Sequence, residues 1–288
     1  MKKFKHRPTP NADVPIDKPH QNIFALEYQL AYNTCMISRI LGIFLIFIFS
    51  TAISGKANYR EIHYSRSGNF KALMNKPKDN RKRPVIIYVY DEYFDWIGIP
   101  AISKRGYDLR NFLDLFEEWG FIGIIPLERY RRVNAVKGAI AYARSLPNVK
   151  KNEIHVVGVS EGGFIALLAV DDQSKARSLT LVLPRPVHYS GHYSFPGLVR
   201  KMDEINTRLL FIFGEEDKKW RVRLQKNLYE VLVRSRKKVS IRSYPRDRKA
   251  FWNPHSFYMD DIHKFMTGRP APLPIPEQLE KEMGYGTD

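Results

Sequence analysis

The sequence predicts an α/β fold: a mostly parallel sheet with helices on both faces. Short apolar runs alternate with segments of helical period, as when strands are joined by crossover helices. At 288 residues, 44% of them apolar, the chain is long enough to bury one sizeable core, and no internal repeat is visible.

The strand candidates, in order, are Pro84–Tyr90, Gly120–Pro126, Ile154–Val157, Ser178–Leu183, Leu209–Phe213 and Val239–Tyr244. Between them, Asp108–Trp119 sets Leu109, Phe112, Leu113, Leu115 and Phe116 near helical spacing. Val133–Leu146 does the same with Val136, Ile140, Ala143 and Leu146. A last helix is expected over Phe257–Met266, after a polar loop from Pro245 to Pro254. No insertion is long enough for a lid domain, so any site should be open or covered only by short loops.

Between the strand at Ile154–Val157 and a helix-compatible run at Phe164–Val170 stands Gly158-Val159-Ser160-Glu161-Gly162-Gly163. A G-x-S-x-G sequence between strand and helix describes a nucleophile elbow. The turn is so sharp that the residues two before and two after the serine must be nearly free of side chain. The Ser160 hydroxyl is thereby exposed, and the start of the next helix turns N–H groups toward negative charge developing beside it. Among these, the Glu161 backbone N–H is the candidate for one oxyanion donor.

A nucleophilic serine needs a base, and the base an orienting acid, following in the chain order Ser, acid, His. After the strand at Leu209–Phe213 comes the acidic turn Gly214-Glu215-Glu216-Asp217, and Asp217 is taken as the acid. His255, in the loop after the last strand, is taken as the base. His263, inside the following helix, is read as a surface or packing residue. His188 and His192 stand four apart, but Pro184, Pro186 and Gly191 surround them and no glutamate adjoins them. No metal site is expected there, and the loop is read as shaping the substrate entrance.

From about Tyr59 to Met266 the chain resembles the α/β-hydrolase superfamily, and within it the dienelactone hydrolase-like group. Gly68–Pro77 resembles the second half of that group's opening hairpin. Pro84–Tyr90 resembles the strand leading to the oxyanion loop, and Gly120–Pro126 the next parallel strand. The elbow, the acidic turn and the histidine before the last helix complete the series. Two features depart from the group. Asp91-Glu92-Tyr93-Phe94-Asp95 stands where the group tends to carry His-Glu-x-x-Gly, and Ser160 stands where the namesake enzymes use cysteine. The resemblance implies a second oxyanion donor from the loop after Tyr90, placed at the Tyr93 N–H. It also implies a general esterase-like hydrolase acting on an ester, thioester or small amide. Glu92, Phe94, Trp96 and His188 are the candidates for lining the substrate pocket, with ordinary packing as the alternative for the aromatic residues. A catalytically silent scaffold used for binding is the alternative for the whole chain.

The formal net charge is +17; residues 1–57 carry seven Lys/Arg and three Asp/Glu, which leaves +13 on the remainder. No nucleic-acid motif or basic stripe accompanies that charge, so no nucleic-acid partner is expected. No phosphate-loop or dinucleotide motif is present, and no cofactor is expected.

The apolar run Ile40–Phe49, preceded by Arg39 and followed by Ser50, Ala52, Ser54, Gly55 and Ala57, fits the core and cleavage region of an export signal. Met36 would give that signal an ordinary start. If uncleaved, residues 40–53 become a membrane anchor. The one cysteine, Cys35, precedes the run and would be lost on processing. The expected organisation is therefore a leader over 1–57, a hydrolase domain over 58–267 and a proline-rich tail over 268–288, with the mature protein exported.

Overall fold

The computed structural model describes residues 59–64, 69–91, 93–186 and 202–268. The apolar run 40–49, Glu92, His188, His192 and the tail beyond Gly268 lie outside these. Eight strands form one sheet: β1 (Tyr59–Tyr64), β2 (Phe70–Asn75), β3 (Arg83–Val89), β4 (Ile122–Pro126), β5 (Val149–Val159), β6 (Ser178–Val182), β7 (Arg208–Gly214) and β8 (Val239–Tyr244). Their order is β1-β2-β4-β3-β5-β6-β7-β8. The β1/β2 and β2/β4 pairs are antiparallel, and every later pair is parallel. This is the strand order of an α/β-hydrolase.

Seven helices are described: α1 (Tyr93–Ile97), α2 (Ile99–Ser103), α3 (Leu109–Glu118), α4 (Arg132–Ser145), α5 (Glu161–Ala169), α6 (Lys219–Arg234) and α7 (Phe257–Thr267). Alternation along the strands divides the core in two. Val85, Ile87 and Val89 of β3 join a cluster with α4, α5 and α6, while Ile86 and Tyr88 join a second with α3 and α7. Helices therefore cover both faces, as the sequence predicts.

The expected helices appear with small shifts at their ends. Asp108 caps α3 by accepting the Arg110 N–H at 2.9 Å, and its periodic residues Leu109, Phe112, Leu113, Leu115 and Phe116 are all buried. Every residue of α5 is buried, so its apolar surface runs all the way round. His263 stacks on Trp119 with ring centroids 4.5 Å apart, a packing role as anticipated. The segment read as a polar loop, Pro245–Pro254, is not simply polar. It contains a 3-10 helix, Arg248–Trp252, that buries Arg248, Phe251 and Trp252. Among the described residues no helix is long and apolar enough to cross a membrane.

Candidate active site

Ser160 joins β5 to α5 in a conformation that L-residues rarely adopt, with φ 54° and ψ −122°. Holding a non-glycine residue there costs on the order of 1–3 kcal/mol, so the surroundings must impose it. They do so through the backbone. The Ser160 N–H donates to the Val182 carbonyl at 2.8 Å, and its own carbonyl accepts from Gly163 and Arg185 at 3.0 Å each. The flanking glycines are required by contact. A Cβ at Gly158 would lie 2.5 Å from the Gly162 carbonyl oxygen.

The Ser160 side chain is fully buried, and among the described residues its Oγ has no hydrogen-bond partner. This corrects the expectation of an exposed hydroxyl. Asp217 follows β7 in a turn; its Oδ1 accepts the Lys218 N–H at 2.8 Å and lies 3.9 Å from Arg221 Nε. Its Oδ2 is buried and has no donor among the described residues. Glu215 and Glu216 are exposed, so within the acidic turn Asp217 alone holds a carboxylate oxygen buried and unsatisfied. His255, after β8, is exposed, and its backbone N–H donates to Asn253 Oδ1 at 2.9 Å. Because β5 and β7 belong to the parallel part of the sheet, Ser160 and Asp217, each just beyond a strand end, lie along its carboxyl edge, where ligands bind in open α/β sheets; His255 lies farther along the chain, in the connection between β8 and α7. Among the described residues no hydrogen bond joins the three side chains.

The loop after β3 differs from expectation. The Tyr93 N–H donates to Asp91 Oδ1 at 3.2 Å, and the Asp91 N–H donates to the Tyr107 hydroxyl at 3.2 Å. The Tyr93 amide assigned to the oxyanion is therefore engaged by a carboxylate two residues earlier, because an Asp at this position closes an Asx turn. Phe94 is taken into the core, 4.9 Å from the Tyr90 ring and 4.7 Å from the Tyr107 ring. Trp96 is 62% exposed.

Two buried arginines flank this loop, and sequence reasoning passed over both. Arg248 Nη1 lies 3.5 Å from Asp91 Oδ2, with its guanidinium 4.1 Å from the centre of the Tyr93 ring and 5.5 Å from that of Trp252. Arg132, on the first turn of α4, donates to the Tyr90 carbonyl at 2.6 Å. It also lies 3.5 Å from Glu161 Oε2 and 3.6 Å from Asp95 Oδ2. Burial holds the Asp95 carboxyl above the usual carboxylate range, with Arg132 opposing the shift. Burial also pushes the Tyr88 and Tyr107 hydroxyls far above the ordinary phenol range. Their oxygens are 2.9 Å apart, next to Asp91. Among the described residues no three His, Cys, Asp or Glu side chains are grouped to hold a metal ion.

Solved structures similar to the chain share its fold at low identity. An esterase from the fungus Rhizomucor miehei is 14% identical, covering 82% of this chain and 87% of its own, with a TM-score of 0.55. A putative dienelactone hydrolase from Klebsiella pneumoniae is 16% identical over 73% of this chain and 95% of its own, with a TM-score of 0.50. Dipeptidyl peptidase 4 from Porphyromonas gingivalis is 12% identical over 73% of this chain, with a TM-score of 0.51, but only 35% of its own length is spanned. No curated protein matches the chain. The sequence model of the dienelactone hydrolase family matches residues 99–264. Matched over more than half its length, the chain belongs to the dienelactone hydrolase family.

Proposed function

We propose that the protein is a serine hydrolase that cleaves a small ester, thioester or amide through an acyl-enzyme on Ser160. The observation that carries this reading is the strained Ser160 backbone, φ 54° at a strand-to-helix turn walled by glycines. A merely structural turn has no need to hold a serine in that conformation. In the first half-reaction His255 accepts the Ser160 proton as Oγ adds to the carbonyl carbon. The tetrahedral oxyanion then collapses, and the leaving group departs with the proton from His255. Water repeats the sequence on the acyl-enzyme and releases the acid. Asp217 orients the imidazole, and its buried, donorless Oδ2 supports that role. The Glu161 N–H supplies one oxyanion donor at the start of α5. We also assign the protein to an exported compartment, on the apolar run at 40–49 and the small residues behind it.

A fluorophosphonate probe on the purified protein tests the reaction. Labelling abolished by Ser160→Ala is the expected result; no labelling of wild type at any pH overturns it. A second reading, a silent scaffold used for binding, is favoured by the engaged Tyr93 amide and by the exposed His255. It predicts no labelling.

A further inference from the structure

Arg132 is 5% exposed, a guanidinium taken into the interior of the hydrolase domain. Such a group persists only where its partners are fixed around it. Those partners come from three separate elements: the Tyr90 carbonyl at the end of β3, Asp95 on α1, and Glu161 on the first turn of α5. The guanidinium also lies 4.8 Å from the centre of the Tyr90 ring, and the Tyr90 hydroxyl donates to Asp95 Oδ1 at 3.2 Å. The two backbones that flank an oxyanion at Ser160, the loop after β3 and the start of α5, are thus tied to one side chain.

The tie matters because of what the Tyr90 carbonyl would otherwise do. Its oxygen lies against Gly162, only 2.3 Å from where a Cβ would stand. It is a strong acceptor beside the start of α5, where the Glu161 and Gly162 N–H groups are the donors an oxyanion needs. Arg132 takes that carbonyl, and the Tyr107 hydroxyl takes the N–H of the same peptide unit at 3.2 Å. The Tyr90–Asp91 peptide is therefore pinned at both ends, with its oxygen committed elsewhere.

Resting on the serine-hydrolase reading above, we propose that Arg132 is a positioning residue for the oxyanion hole. It holds the Tyr90 carbonyl off the α5 amides and fixes Glu161, whose N–H receives the charge. It touches no substrate.

Arg132→Lys tests this with the fold preserved. The charge that compensates Glu161 and Asp95 remains, but one ammonium cannot reproduce the planar fork that reaches all three partners. With p-nitrophenyl acetate, kcat should fall by about 10²- to 10³-fold, the effect of losing an oxyanion donor, while KM stays within about threefold. Affinity for a trifluoromethyl ketone, which forms a tetrahedral oxyanion on serine, should fall in parallel; a packing residue alone would leave that affinity unchanged. If Arg132→Lys does not fold, Glu161→Gln serves, since Arg132 keeps Tyr90 and Asp95 as partners, and the same signature is expected. A folded variant with unchanged kcat, or with lost kcat and unchanged ketone affinity, overturns the positioning role alone. Wild-type protein that neither turns over the ester nor takes up fluorophosphonate overturns the hydrolase reading beneath it.

Discussion

Gly162 and Tyr90 are in backbone contact: a Cβ built on the glycine would lie 2.3 Å from the carbonyl oxygens of both Tyr90 and Val89. No side chain can yield there, because both obstacles are main chain, at the last residue of β3 and the one after it. Gly162→Ala should therefore lower stability by about 1–3 kcal/mol or more. Gly138→Ala, in α4, would meet side-chain atoms, the Tyr64 ring at 3.2 Å and the Phe70 ring at 3.5 Å, and gains helix propensity of about 1 kcal/mol, so it should be close to neutral. Urea denaturation of the two variants compares them directly; equal stabilities would show that the close approach at Gly162 is not rigid.

Turnover of an acyl ester should depend on Ser160, His255 and Asp217 unequally. Ser160→Ala and His255→Ala should each reduce it by about 10⁴-fold or more, with folding retained. Asp217→Asn should be milder, since nucleophile and base remain in place. If Glu216→Gln proved damaging and Asp217→Asn harmless, the burial of Asp217 Oδ2 would have pointed to the wrong carboxylate.

His155 gives the fold an acid-sensitive point away from the reaction. Its Nδ1 lies 2.7 Å from Ser178 Oγ inside the sheet, beside the Phe121 ring. Burial, with the charges of Arg177 and Arg208 adding to it, depresses the imidazole from 6.5 to about 3. The unfolded chain binds the proton first, so the stability held above pH 6.5 is lost as pH falls from there toward 3. At pH 5 the loss is about 2 kcal/mol. Urea midpoints for His155→Gln, which cannot titrate, should fall less between pH 7 and pH 5 than those of wild type. Parallel midpoints would exclude this histidine as the source.

Export should leave a processed chain. Mass spectrometry of the protein from its native host should find an amino terminus between about residues 51 and 58. Intact Met1 in the cytoplasmic fraction would defeat the assignment.

Much of the fold was legible because the inner strands β4, β6 and β7 are buried on both faces and read as nearly continuous apolar runs; at the sheet edge the expected and observed bounds of β8 coincide at Val239–Tyr244, although only Ile241 of it is buried. The turn at Ser160 was legible because its glycines are needed by backbone contact, and backbone contact leaves a spacing in the sequence. The charged interior was not. Arg132 belongs to the stretch Arg129-Tyr130-Arg131-Arg132, and nothing in that run tells which guanidinium turns inward. The distinction arises only when Arg131 takes a left-handed conformation, φ 54°, immediately before α4 begins. Arg248 and Trp252 looked like members of a polar loop for a similar reason: their burial comes from the 3-10 turn, which has no periodicity to display. The engaged Tyr93 amide also depends on a local carboxylate–amide contact that the family's usual histidine would not make.

The sealed hydroxyl of Ser160 has a kinetic consequence. With that side chain buried, a reagent acylates only through the fraction of molecules in which Ser160 has become accessible. At high concentration the rate of labelling should stop rising and settle at the rate of opening. Two phosphonates of very different intrinsic reactivity would then inactivate the protein at one common ceiling. The protein's breathing, rather than the electrophile's strength, would become the clock of the first turnover.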